Sequence, residues 1–393
     1  MRFKNGVIIF FVVAIVDEVL SEIPDPFQIP DSSENPDSSC QETKCNVVKC
    51  TDCAILRAGQ TSHYSFEYKT LRYFECSDNF SRVDIVHELF DKLQSIQVIK
   101  ITKTDARRLV EGTFRSSTTL RELYLPENNI SIIDDFAFGH LTALTHLFLN
   151  NNKLKSFDAY SITEGINIKY LNLENNLFEE MVDNALYNLK SLTYLNLDGN
   201  KFKNISMGKL INNPKPVKSV SMSNNLLTRI KSEFFDSLIN IEDLNLAFNK
   251  ICCIGDTFLL MEKLKTLILS HNNLAELDEF DIPRKMHSSL QYLAIDHNLI
   301  TFMDSNVLDS LPSLKKIAIV GNPWYCNCLI DFRKGFQQRN IQEICGTSGY
   351  VHTKRTVCLA DLTHNHTCTH FVSEHFDPKF VSMVLEEDRS DLL

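Results

Sequence analysis

The sequence predicts an α/β solenoid, and three observations carry that expectation. Between Ile96 and Trp324 a pattern Leu-x-x-Leu-x-Leu-x-x-Asn-x-Leu returns ten times, and a unit of this size cannot bury its apolar side alone, so the units must stack. The first positions stand at 96, 120, 144, 168, 192, 217, 241, 264, 290 and 314, a spacing of 24 six times and of 23, 25 and 26 once each. Cysteines gather at both ends of the array, at 40, 45, 50, 53 and 76 before it and at 326, 328, 345 and 358 after it.

Within one unit the logic is that of a short strand followed by a turn. The second repeat reads Leu120, Leu123, Leu125, Asn128, Ile130 and the third Leu144, Leu147, Leu149, Asn152, Leu154. Apolar residues two apart point to one face of a strand. The asparagine that follows offers an amide donor and a carbonyl acceptor to backbone groups buried by the coil. Asn176, Asn200, Asn225, Asn249, Asn272, Asn298 and Asn322 continue the column, while the first repeat places Thr104 there and keeps Ile96, Ile99, Ile101 and Ala106 as its apolar set. A further apolar column, with Leu109, Ile133, Phe157 and Met181 thirteen residues after each start and Phe114, Phe138 and Ile162 eighteen after, fills the return half of the core.

This pattern resembles the leucine-rich repeat, and the resemblance covers most of the chain. It implies a horseshoe with a parallel concave sheet and disulfide-bonded terminal caps. The run Asn322-Pro323-Trp324-Tyr325-Cys326-Asn327-Cys328 resembles the C-terminal flanking cap of extracellular members, which implies that Cys326 pairs with Cys345 and Cys328 with Cys358. Trp324 is expected to pack over the last coil. At the other end the cysteines are spread out, and Leu71, Phe74, Cys76 and Asn79 form a degenerate repeat. A bridge from Cys53 to Cys76 would tie the leader side to the first strand, but five cysteines are an odd number and the pairing stays open.

The remaining segments give an address. Arg2 and Lys4 precede an apolar run from Val7 to Val16, too short for a bilayer crossing of about 20 residues and suited to a signal peptide over 1–21, cut after Ser21. Residues 22–39 carry Glu22, Asp25, Asp31, Glu34 and Asp37 among prolines and serines with no basic residue, an acidic disordered leader. A cysteine-bearing cap with the degenerate repeat is expected over 40–95, ten repeats over 96–321, a cysteine-rich cap over 322–359 and a flexible tail over 360–393. The charged end at Leu385-Glu386-Glu387-Asp388 suits neither a membrane span nor a lipid anchor, so a secreted, extracellular protein is expected. Sequons at Asn79, Asn129, Asn204 and Asn365 are expected to carry glycans.

Cys252 and Cys253 are neighbours beyond Asn249. They read as two reduced thiols, a strained bridge between neighbours, or a link to another chain. An unpaired cysteine, Cys368 among them, offers a route to a covalent dimer. His364, His366 and His370 alternate like metal ligands, but a glycan on Asn365 would stand among them, and neither metal nor cofactor is expected.

The formal net charge of −10 argues against nucleic acid or an anionic membrane as partner. No Gly-x-Ser-x-Gly elbow, phosphate-cradling loop or His-Glu-x-x-His pair occurs, so an enzyme is not expected. Function falls to the outward positions of the sheet, the third, fifth and seventh of each repeat. Tyr124, Phe148, Tyr170 and Tyr194 come from four consecutive strands and would line a patch of about 15 Å at the usual strand spacing. Glu122, His146, Asn172 and Asn196 border it, and together these eight residues are the candidate contact surface for an extracellular protein ligand. Tyrosine is also simply a good strand residue. Asn172, Asn196 and Asn245 read as a solvated stripe. In arrangement the chain is similar to secreted insect leucine-rich immune proteins and to Toll-like and Slit-type ectodomains, although no heptads follow Cys358. That similarity implies a recognition role in innate immunity or extracellular signalling; a structural matrix or adhesion component is the alternative.

Overall fold

Every repeat contributes its fourth position to a short strand, and the strands lie side by side in a single sheet of 14 strands. The computed structural model describes residues 71–344 apart from short stretches, of which 278–288 is the longest, together with the strands Cys40–Thr43, Val47–Cys50 and Cys358–Leu359. The expected signal peptide, leader and tail lie outside the described residues. From Val98–Thr102 the sheet continues through Glu122–Tyr124, His146–Phe148, Tyr170–Asn172 and Tyr194–Asn196. Ser219–Ser221, Asp243–Asn245, Thr266–Ile268, Tyr292–Ala294 and Lys316–Ala318 complete the ten. Register is in step throughout, Leu147 opposite Leu171 and Leu171 opposite Leu195, as a fixed period demands.

The sheet extends beyond the ten repeats at both ends. The degenerate repeat is a full parallel strand, Tyr73–Ser77, with Phe74 and Cys76 buried. Val47–Cys50 pairs with it in parallel and Cys40–Thr43 turns back antiparallel. At the far end Trp324 is fully buried, donates its indole N–H to the Ile319 carbonyl at 2.9 Å and stacks on Phe332. The cap that follows is a helix, Cys326–Arg339, whose residues Leu329, Phe332 and Phe336 close the core. It returns a last strand, Gln342–Ile344, alongside Lys316–Ala318.

The asparagine column does what its chemistry allows. Asn176 donates through Nδ2 to the carbonyls of Leu149 and Leu173, both at 3.0 Å, and accepts through Oδ1 from the Leu154 N–H at 3.0 Å. Asn152, Asn200, Asn225, Asn249, Asn272, Asn298 and Asn322 repeat the scheme. Thr104 joins it by donating both its N–H and its hydroxyl to Asn128 Oδ1. These bonds satisfy groups that would each cost about 1–3 kcal/mol if buried unpaired. Phenylalanines pack from coil to coil behind them, Phe114 stacked on Phe138 and Phe178 on Phe202, with Phe90 tilted against Phe114.

One residue before each asparagine the chain must reverse, and there φ is positive. The column runs Lys103, Glu127, Asn151, Asn175, Gly199, Asn224, Phe248, His271, His297 and Gly321, with φ between 52° and 73°. Asparagine and glycine tolerate this left-handed conformation, whereas bulky side chains are strained in it.

Candidate functional site

The predicted aromatic residues do come together on the open face of the sheet. Tyr124 stacks on Phe148 with ring centres 4.4 Å apart and planes within 5°. His146, Tyr170 and Tyr194 form a second column at 4.3 Å per step, and His146 lies 6.4 Å from Phe148, joining the two. All are half-buried. In-step parallel strands bring third positions over third and fifth over fifth, so ring stacking follows directly from register. Glu122 accepts a hydrogen bond from the Tyr124 hydroxyl at 2.8 Å. Burial lowers the affinity of His146 for a proton against the opposing pull of Glu122. Burial, with Tyr194 alongside, pushes the Tyr170 phenol up to about 12, so the Tyr170 ring is uncharged at neutral pH.

Of the asparagines expected to form a solvated stripe, Asn172 and Asn196 are half-exposed and Asn245 is buried. Asn172 and Asn196 each turn Oδ1 back to accept the N–H two residues on, from Glu174 and Asp198 respectively, both at 2.9 Å. Asn245 does the same for Ala247 at 3.1 Å, donates to the Ser221 hydroxyl and is buried. Side chains that bond their own turn are spent on the strand ends. They support two carboxylates at the seventh position. Burial raises Glu174, against hydrogen bonds from Asn172, Asn196 and Asn175. Burial pushes Asp198 up to about 7, against a hydrogen bond from Ser221, with the charge of Glu174 adding and the Ser223 N–H opposing.

The second half of the face differs from expectation. Fifth-position residues are half-exposed through Asn196, but Ile268, Ala294 and Ala318 are buried. They form an apolar floor with Ala247, against which Phe248, Tyr292 and Ile344 pack. Beside it Phe248, His271 and His297 stack at 4.2 Å per step with planes within 11°. These rings occupy the left-handed column, which strand alternation alone does not mark as exposed. The signal was present in the sequence: the same column reads Asn151, Asn175, Gly199 and Asn224 in the preceding repeats, so a phenylalanine and two histidines there are a departure.

Of the modification and disulfide residues, Asn204 is exposed and Asn129 half-buried, its Nδ2 donating to Asp105 Oδ1 at 3.2 Å. Asn79 and Asn365 lie outside the described residues. Cys76, Cys326 and Cys328 are disulfide-bonded; Cys53 and Cys345 lie outside the described residues, as does the side chain of Cys358. Cys252 and Cys253 are free, exposed thiols with sulfurs 3.0 Å apart. Among the described residues no helix is long and apolar enough to cross a membrane.

The family model described as "Leucine rich repeat" matches residues 118–164 and 215–274. The fold is that of a leucine-rich repeat solenoid. The chain is 31% identical over 115 residues to osteomodulin of Bos taurus, covering 28% of this chain and 25% of that one. It is 29% identical over 92 residues to Toll-like receptor 4 of Boselaphus tragocamelus, covering 23% and 11%. The matched stretches are thus a quarter or less of these relatives' length. Among solved structures, a complex of TLR13 with the single-stranded RNA ssRNA13 matches with a TM-score of 0.56 at 19% identity, over 72% of this chain and 42% of that one. The LRIM1/APL1C complex matches at 0.54 and 20%, over 70% and 47%. The Toll–Spatzle complex of Drosophila matches at 0.54 and 20%, over 74% and 41%. At these identities the likeness to the solved structures is one of fold. The chain therefore resembles osteomodulin and Toll-like receptor 4 in sequence over part of its length, and the solved repeat structures in fold over about 70% of it.

Proposed function

We propose that the chain is a secreted, glycosylated, non-enzymatic recognition protein that binds an extracellular protein through its concave face, in innate immunity or extracellular signalling. The stack of Tyr124, Phe148, His146, Tyr170 and Tyr194 on an uncovered sheet face carries the reading. Such rings present large, rigid area at little cost in side-chain freedom, and parallel sheets are otherwise covered on both faces. The signal-like N-terminus, the four sequons and the bonded cysteines support the address. Solved neighbours bind protein, Spatzle in the case of Toll, and also RNA in the case of TLR13. The net charge of −10 favours protein here, because phosphate binding needs clustered cations.

The test is a capture experiment from native extracellular fluid with wild-type chain and a variant carrying Tyr124→Ser, Phe148→Ser, Tyr170→Ser and Tyr194→Ser. A protein partner retained by wild type and lost by the variant, with secretion and far-ultraviolet circular dichroism unchanged, is the expected result. The same partners on both proteins would remove the patch from the site, and a captured RNA that competes with protein would overturn the choice of partner class.

A further inference from the structure

We propose that His271, Asp296 and His297 form a binding site for a divalent first-row cation of the zinc class, separate from the aromatic patch. Their ligand atoms lie within 4.8 Å of one another. Two imidazoles and a carboxylate are a donor set suited to zinc, with a further position left for water or for a side chain of a bound partner. The histidines come from adjacent repeats and the carboxylate precedes His297 in the chain, so the coil itself assembles the set.

Three features go beyond proximity. Asp296 is wholly buried and is held by a second residue: the Ser270 hydroxyl donates to its Oδ1 at 2.5 Å, while its Oδ2 lies 3.0 Å from His297 Nδ1. A ligand carboxylate oriented by a hydroxyl is the supporting shell that metal sites need. The residue after His297 in the left-handed column is Gly321, where a Cβ would stand 2.6 Å from the Cδ2 of His297, so this glycine leaves the ring its place. The His297 side chain is 38% exposed and that of Asp296 0%, so an ion would reach the buried carboxylate by way of His297.

The rings now stack with planes 9° apart and centres at 4.2 Å. An ion binds an imidazole nitrogen close to the ring plane, so one ion cannot serve two parallel rings, and binding turns at least one ring out of the stack.

The experiment uses the full chain with its disulfides intact, stripped with a chelator and titrated with zinc by calorimetry, with bound metal counted by mass spectrometry. About one zinc per chain is expected at a three-ligand site of this kind. A variant carrying His364→Ala, His366→Ala and His370→Ala keeps it. His271→Asn combined with His297→Asn weakens it about tenfold or more. Asparagine occupies this column at Asn151, Asn175 and Asn224, so the double variant keeps its fold and metal-free melting temperature; the single His297→Asn gives the same reading should the double variant fail to express. Wild type that takes up no zinc, a His271/His297 variant that binds as wild type does, or loss of binding in the tail variant overturns the proposal.

Discussion

Replacing Asn176 by alanine tests the physical basis of the coil. The side chain makes buried hydrogen bonds to the carbonyls of Leu149 and Leu173 and from the N–H of Leu154, each at 3.0 Å, and a further, partly buried one to the Glu174 carbonyl at 3.2 Å. At about 1–3 kcal/mol for each buried group left unsatisfied, the three buried bonds alone set a range of about 3–9 kcal/mol. Water entering the space of the lost amide relieves part of this, and we expect a loss of about 3–5 kcal/mol, a large share of the 5–15 typical of a folded domain. The assay is urea unfolding followed by circular dichroism, with hydrogen exchange at the Leu154 amide as a local readout, because a repeat array need not unfold as one unit. Glu179→Ala, at an exposed position, serves as the control and stays within about 0.5 kcal/mol. An Asn176→Ala protein within about 1 kcal/mol of wild type, with unchanged exchange at Leu154, would refute the view that the asparagine column holds the coils together.

Gly321→Ala places a Cβ against His297 at a φ of 73° and should cost about 1–3 kcal/mol; thermal melting checks it, and Gly165→Ala, with φ 97° but no neighbour within 4 Å, separates backbone strain from the clash. Asp198 has a folded pKa of about 7, well above the 3.8 of a free aspartate, so the folded state holds its proton more tightly than the unfolded one. Its stabilising effect is complete below about pH 4 and is lost as pH rises towards 7, by on the order of 3–4 kcal/mol at about 1.4 kcal/mol per unit; Asp198→Asn should flatten the pH dependence of urea unfolding in that window. Iodoacetamide should label Cys252 and Cys253 in the native protein and spare Cys76, Cys326 and Cys328 until a reductant is added. Contact with Cys252 raises the Cys253 thiol, so labelling there should accelerate with pH, as peptide mass spectrometry will show.

Period and chemistry made most of the fold legible. Residues two apart, an amide every 24 or so and the strand spacing are enough to place Leu147 over Leu171 and Tyr170 over Tyr194, because a parallel sheet with a constant period has only one register. The ends are harder to read: Gln342–Ile344 and Cys40–Thr43 join the sheet without carrying the repeat's leucines, since a terminal strand has a neighbour on one side only. The bonding of the asparagines is not legible, because alternation says which way a side chain leaves the strand and not what it then bonds. The pairing of His271 with His297 is hidden for a similar reason. They stand in a turn column, outside strand alternation, and their partnership spans 26 residues, so no local spacing announces it.

The way the sheet finishes has a consequence for solubility. An in-register stack of parallel strands is an open template, and at each end a bare edge would invite another molecule to continue the series. Here the first edge is occupied by a strand running the opposite way, Cys40–Thr43, and the last by a strand delivered from a helix that also seals the core, Cys326–Arg339. The two terminal strands differ, Cys40–Thr43 running antiparallel to its neighbour and Gln342–Ile344 parallel to its own, so a second copy set head to tail would meet an opposed strand in place of the next member of the parallel series.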